Sequence, residues 1–318
     1  MCNNFSILLV INNTKRSQMA SKIIRYLTII LLGMLIIQTL PVFIKKIKEE
    51  YFNMIEPKTK VGLICVNDMI KSSGKTTKYL KKYFEDKSIK AILLKIDSQG
   101  GYAGSSEAIF LEILALKKEF SKPIITLTEN ICASGGYLIA AATDYIIAAP
   151  SCTVGSIGSY LSYFKLKEFI NNWKIQYEIQ KSGKYKSICN PFTETTKEEE
   201  ELLKNVSESS YKIFLENVAQ TRKLSLKDKD IWAEGKVFTG SQALKVGLVD
   251  ELGTRSNAIR KIKDLAFIDN KIEWVKADKQ NILEKLIDED DDDCTMAMSK
   301  ILENCITNLL SKKLISHY

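Results

Sequence analysis

A chain of 318 residues with 45% hydrophobic content has room for one large domain or two small ones. Residues 1–60 hold nine Lys/Arg against three Asp/Glu and the remainder 37 against 35, so most of the +8 net charge sits at the N-terminus and the body lacks the basic face that nucleic acid requires. Seven scattered cysteines without metal-ligand spacing argue against a disulfide scaffold, and one histidine, His317, nearly excludes histidine-ligated metal chemistry.

In chain order, residues 1–25 read as a basic extension. Residues 26–44, YLTIILLGMLIIQTLPVFI, are nineteen without a charge, the length at which a helix spans a bilayer, with Pro41 tolerable near the end. Lys15, Arg16, Lys22 and Arg25 precede this stretch and Lys45, Lys46 and Lys48 follow it, so charge does not set its orientation. No small-x-small cleavage site follows, which favours an uncleaved transmembrane anchor over a signal peptide. Residues 45–60 form a linker, 61–287 the main domain, and 288–318 an acidic linker (DEDDDD) followed by an amphipathic helix.

Within the main domain, apolar strand-like runs alternate with helical spacing. VGLICV (61–66), AILLKID (91–97), PIITLT (123–128) and YIIAAP (145–150) predict strands, and 76–84 and 105–120 predict helices. Residues 173–180 carry a further strand pattern, and 197–222 a long polar helix whose EEEE start reads as a solvated first turn. GSQALKVGLVDELG (240–253) predicts a short helix stopped at Gly247 and a tight turn at Gly253. Cys65, Cys132 and Cys152 fall in apolar runs and are expected to be buried free thiols. Ile- and Val-rich strands separated by helices imply an α/β fold with a mostly parallel sheet.

The chemistry centres on ENICASGGY (129–137). Ser134 follows a strand-like run, two glycines clear the space around it, and a helix begins there, which would expose its hydroxyl beside backbone N–H groups. A helix cap is the competing reading. A second pair, SQGG (98–101), ends the preceding strand thirty-three residues earlier. Carboxyl ends of neighbouring parallel strands converge, so Gly101 and Gly135 would supply the two amides of an oxyanion hole. With histidine absent, the base must be a carboxylate, a tyrosine or a lysine whose pKa falls from ~10.4 towards neutrality. KSGKYKS (181–187) offers Lys181, Lys184 and Lys186, among which composition does not choose.

ASGGY, SQGG, TVGSIGSY (153–160), SGKYKS (182–187) and GLVDELG (247–253) occur in this order, with fifty-two residues from Ser134 to Lys186. This ordered set resembles the signal peptide peptidase A family, membrane-anchored serine peptidases of the ClpP/crotonase fold, over about residues 60–265. The resemblance implies Ser134 as nucleophile, Lys186 as general base, Ser156 as the hydroxyl that orients the lysine, and Gly101 and Gly135 as oxyanion donors. It also implies that no cofactor or metal is used and that the substrates are signal-peptide remnants and other extended apolar peptides. Residues 26–44 would hold the chain in the bacterial inner membrane with the catalytic domain on the outer, periplasmic side. A ring-like homo-oligomer is implied, whose neighbouring subunits can supply the serine and lysine of one site. The chain departs from the family's NSPGG strand ending, since Asp97-Ser98-Gln99-Gly100-Gly101 lacks the proline that would fix φ before the glycines. Tyr102 and Tyr137 are candidates to line the peptide pocket. Competing functions are a sister peptidase with other substrates, an acyl-CoA enzyme of the same fold, and a non-catalytic scaffold with a degenerate site.

Overall fold

The computed structural model describes residues 31–48 and 56–277. The chain divides into two units, residues 1–58 and 59–318. In the first, residues 31–48 are helical and almost every side chain is exposed. Lys45, Lys46 and Lys48 fall in its last turn, and no helix among the described residues is long and apolar enough to cross a membrane. The expected anchor at 26–44 is therefore not seen as a spanning helix, and its residues 26–30 lie outside the described residues. The 1–25 extension, the acidic run, the C-terminal amphipathic helix and His317 also lie outside them.

The second unit alternates strands and helices: β1 (Lys58–Ile70), α1 (Gly74–Glu85), β2 (Ile89–Gly101), α2 (Ala103–Glu119), β3 (Ile124–Thr128), β4 (Ile131–Ala133), α3 (Gly135–Ala141), β5 (Tyr145–Ala148) and β6 (Thr153–Gly155). Then come α4 (Lys167–Asn172), α5 (Lys197–Arg222), α6 (Lys229–Trp232), β7 (Val237–Thr239), α7 (Gly240–Lys245), β8 (Glu251–Leu252), α8 (Arg255–Ala266) and β9 (Lys271–Lys276). The strands lie in the order β7-β6-β4-β2-β3-β5-β8, with β1 also against β2 and β9 against β1. Pairing is parallel at β1–β2, β2–β3, β2–β4, β3–β5, β4–β6 and β5–β8, and antiparallel at β6–β7.

The central strand explains the architecture. Its first half pairs with β3 from Ile92 to Lys95, and its last turn pairs with β4 at Ser98. Side chains alternate between faces along a strand. Ala91 and Leu93 thus join Ile125, Leu127 and Ile147 under Ala258 and Ile262 of α8. Ile92, Leu94 and Ile96 instead pack with Leu80 and Phe84 of α1, Ile109 and Ile113 of α2, and Val218 of α5. Continuous apolar runs are what a sheet covered on both faces demands.

Three expectations need correction. Residues 173–180 form no strand, because no sheet edge meets them, and their alternating Trp173, Ile175, Tyr177 and Ile179 are all exposed. Cys65 is exposed on β1, on the opposite pleat from buried Ile64 and Val66, whereas Cys132 and Cys152 are buried. The EEEE turn is not merely solvated. Glu198 pairs with Lys184, Glu200 with Lys165 at 2.9 Å, and Glu199 forms a capping box with Thr196.

Candidate active site

Strands β4 and β6 are three residues each and lie in register, with Ala133 opposite Gly155. Just past this pair both chains turn left-handed, at Ser134 (φ 51°, ψ −125°) and Ser156 (φ 53°). A non-glycine residue held there costs on the order of 1–3 kcal/mol and persists only where the surroundings enforce it. For Ser134 the restraints are its N–H donating to the Gly155 carbonyl at 2.8 Å and its own carbonyl accepting from Leu138 N–H at 3.0 Å. For Ser156, the N–H donates to Lys236 O at 2.7 Å.

The capping reading fails on geometry. Ser134 occupies the N-cap position of α3, but its side chain makes no capping hydrogen bond. Ser134 is only partly buried, and neither its hydroxyl nor that of Ser156 has a partner among the described residues. A strained serine with an uncommitted, accessible hydroxyl is what nucleophilic attack requires.

The SQGG turn closes over this serine. Gly100 has φ 104°, and a Cβ there would stand 2.7 Å from Ser134 Cβ and 2.8 Å from the Gly135 nitrogen. Only glycine adopts that φ without strain and permits the approach. A Cβ built on Gly135 would lie 3.5 Å from the Gly101 nitrogen and would strike the Ser106 hydroxyl. Gly135, the Gly101 nitrogen and the Ser106 hydroxyl therefore lie close together next to Ser134. As the first residue of α3, Gly135 has an N–H with no intrahelical acceptor.

Side chains behind the turn tie β2 to the approach of β4. Lys95 and Glu129 pair at 2.6 Å, and Asn130 Nδ2 donates to Asp97 Oδ2 at 2.9 Å. Tyr102 is exposed beside Gly101, whereas Tyr137 is fully buried and donates to Leu248 O at 2.8 Å, so Tyr137 does not line a peptide pocket. Burial pushes the Tyr137 phenol and the Cys132 thiol well above their ordinary values, which keeps both neutral behind the serine.

The structure gathers Ser134, Ser156, Gly101 and Gly135 but does not bring Lys186 to them. Lys186 is exposed in the irregular stretch between β6 and α5, and no hydrogen bond joins it to Ser134 or Ser156. It borders a separate cavity of about 580 Å³ lined by Ile179, Ser182, Cys189 and Pro191. Its neighbours are engaged. Lys181 Nζ donates to Lys184 O at 3.0 Å and to Ser187 Oγ at 2.9 Å. Lys184 is ion-paired with Glu198, and that hydrogen bond raises the pKa of the lysine. Among the three, only the Lys186 ammonium has no hydrogen bond or ion pair among the described residues. Sequence reasoning missed the Glu198 anchor, which joins residues from separate parts of the local structure. No group of His, Cys, Asp and Glu among the described residues has the geometry to hold a metal ion.

Comparison with known proteins gives concordant results. Residues 116–269 match Peptidase family S49, a span that includes Ser134, Ser156 and Lys186. A putative protease of Methanocaldococcus jannaschii is 38% identical over 186 residues, covering 58% of this chain and 59% of that protein. A putative protease of Synechocystis is 34% identical over 66% of this chain and 76% of its own length. A putative signal peptide peptidase SppA of Enterococcus faecium is 30% identical over 69% of this chain and 67% of its own. The chain thus spans about three fifths to three quarters of the length of these relatives.

Proposed function

Because this chain belongs to peptidase family S49 as an SppA-family peptidase, we propose that it is a membrane-anchored serine endopeptidase with a Ser134/Lys186 dyad. The observation that carries this reading is the strained Ser134, its hydroxyl unpartnered among the described residues, packed against the Gly100–Gly101 turn. The α/β core of parallel strands ending at this site is consistent with a ClpP/crotonase fold.

Ser134 Oγ attacks a peptide carbonyl as neutral Lys186 accepts its proton, and the Gly101 and Gly135 amides stabilise the oxyanion. Lysinium then protonates the departing amine, and water releases the acyl group with the same lysine as base. Ser156, in register beside Ser134, orients the lysine amine by accepting its hydrogen bond.

Lys186 reaches the serine from a second copy of the chain. Two features support this: Lys186 is exposed and uncommitted, and the stretch bearing it displays Tyr160, Phe164, Trp173 and Ile175 to solvent. A ring places each lysine-bearing stretch on the next subunit's serine. The uncharged run at 26–44 supports anchoring in the bacterial inner membrane, and the family resemblance supports placing the catalytic unit outside it. The name of the Enterococcus relative supports signal-peptide remnants and other extended apolar peptides as substrates.

The test is labelling of the purified chain by a fluorophosphonate serine probe. Labelling at Ser134 that rises with pH and is lost in Lys186→Ala is expected. Equal labelling in Lys186→Ala refutes the dyad, and cleavage of an unstructured apolar peptide by Ser134→Ala refutes the serine mechanism.

A further inference from the structure

The oxyanion turn is built from two glycines and has no proline, so its own backbone does not hold it. What does hold it is visible one layer below. Along β1 and β2 the register runs from Asn67 opposite Asp97 directly to Met69 opposite Gly100. Asp68 on one strand, and Ser98 and Gln99 on the other, are passed over in a bulge, and Asp68 turns left-handed there (φ 58°).

The Ser98 side chain fills this bulge and is fully buried. Its hydroxyl donates to the Asp68 carbonyl and accepts the Gly100 N–H at 3.1 Å. The hydroxyl's single donor is therefore used on the neighbouring strand and one of its acceptor lone pairs on the turn. Its backbone carbonyl lies under α3, where a Cβ on Gly136 would come within 3.0 Å. Ser98 thus touches β1, the glycine turn and the helix that carries the nucleophile. Gly100 is the residue packed on Ser134, and Gly101 is next along the chain.

We propose that Ser98 is the positioning residue of the oxyanion hole: its buried hydroxyl, bridging Asp68 and Gly100, holds the turn at the angle that aims the Gly101 amide. Ser98 touches neither substrate nor Ser134 Oγ and acts only through the turn. The proposal rests on the serine peptidase reading above. A bulge bridged by a side chain is a local restraint, so its loss frees the turn while β1 and β2 stay paired from Val61 to Asn67. Donors aimed at a developing charge lose much of their effect when displaced by a fraction of an ångström.

The experiment compares wild type, Ser98→Ala, Ser98→Cys and Ser134→Ala in the full chain. It measures kcat and KM on an unstructured apolar peptide, affinity for the matching peptide aldehyde, and thermal unfolding. The aldehyde forms a hemiacetal whose oxygen takes the oxyanion's place, whereas KM reports mainly the ground state. Ser98→Ala is expected to lower kcat by about tenfold to a hundredfold with KM within about twofold, and to weaken aldehyde binding by a similar factor. Ser98→Cys keeps the shape with a slightly larger, weaker hydrogen-bonding group, and its losses are expected to be smaller and in the same direction. If Ser98→Ala does not fold, Ser98→Cys alone decides the matter. Wild-type kcat in the folded variant overturns the proposal, as does a fall in kcat that leaves aldehyde affinity intact. If Ser134→Ala is inactive while the Ser98 variants match wild type, only this proposal fails. Activity surviving in Ser134→Ala overturns the underlying reading and this proposal together.

Discussion

Ser134 and Ser156 emerge side by side from the Ala133–Gly155 pair, with left-handed φ values of 51° and 53°. Two neighbouring residues in that region, each free at the hydroxyl among the described residues, are costly to hold. Replacing Ser134 by glycine removes both the strain and the nucleophile. Ser134→Gly is therefore expected to be inactive yet more stable by about 1 kcal/mol, or ~2–4 °C in melting temperature. Ser134→Ala, inactive but still strained, should show no such gain. Calorimetry of the two variants checks the difference.

Complementation distinguishes a site shared between subunits from one closed within a chain. Ser134→Ala and Lys186→Ala are each expected to be inactive alone. Co-assembled in equal amounts, they should regain roughly a quarter of wild-type activity, since a working interface needs the intact serine on one side and the intact lysine on the other. No recovery in verified mixed oligomers argues for a site within one chain.

Arg222 at the end of α5 grips Asp250 with two hydrogen bonds of 2.7 and 2.9 Å and the Gly247 carbonyl with two more. Asp250 also accepts the Ile146 N–H at 2.8 Å. Only 9% of the Arg222 side-chain surface is exposed, so Asp250→Ala leaves a buried cation unpaired. The expected cost is about 3–5 kcal/mol, or ~10 °C in melting temperature. Disruption of the exposed Lys81–Glu85 pair should change stability by less than about 1 kcal/mol. Denaturant titrations of the two variants make the comparison.

Alkaline conditions should weaken the fold through Tyr137. Burial raises its phenol above the ordinary value of 10.0, so the native state keeps a proton that the unfolded chain releases. Its contribution is complete below pH 10 and is lost as pH climbs towards the native value. Tyr145 and Tyr211 are shifted in the same direction, chiefly by burial. Unfolding free energy is expected to decline above pH 10, and Tyr137→Phe should flatten that decline at a cost of about 1 kcal/mol at neutral pH from the lost bond to Leu248.

Legibility of the chain tracked the length of each signal. The long apolar runs at 91–97 and 123–128 and the helix from Lys197 to Arg222 stand where periodicity puts them, because many residues report the same face. Strands β4 and β6, three residues each, carry no readable period, although they set the serines in register. Trp173, Ile175, Tyr177 and Ile179 keep a faithful alternation, but a strand exists only where another strand accepts its hydrogen bonds. At the site, the glycine pairs and Ser134 were legible as types. The Ser98 bridge was not, because a bulge depends on the register between two strands. For the same reason the anchoring of Lys184 by Glu198 lay beyond reach, as it joins residues from separate elements.

The middle of β2, Ile92 to Lys95, is paired on both sides, with β1 and with β3. That double pairing gives the serine side and the lysine side of the proposed site different clocks. Amides of residues 92–95 should exchange with deuterium only when the whole unit opens, whereas those of residues 174–195, with few backbone partners, should exchange early. A protease added to the native protein should cut that stretch first and leave the serine side of the site folded.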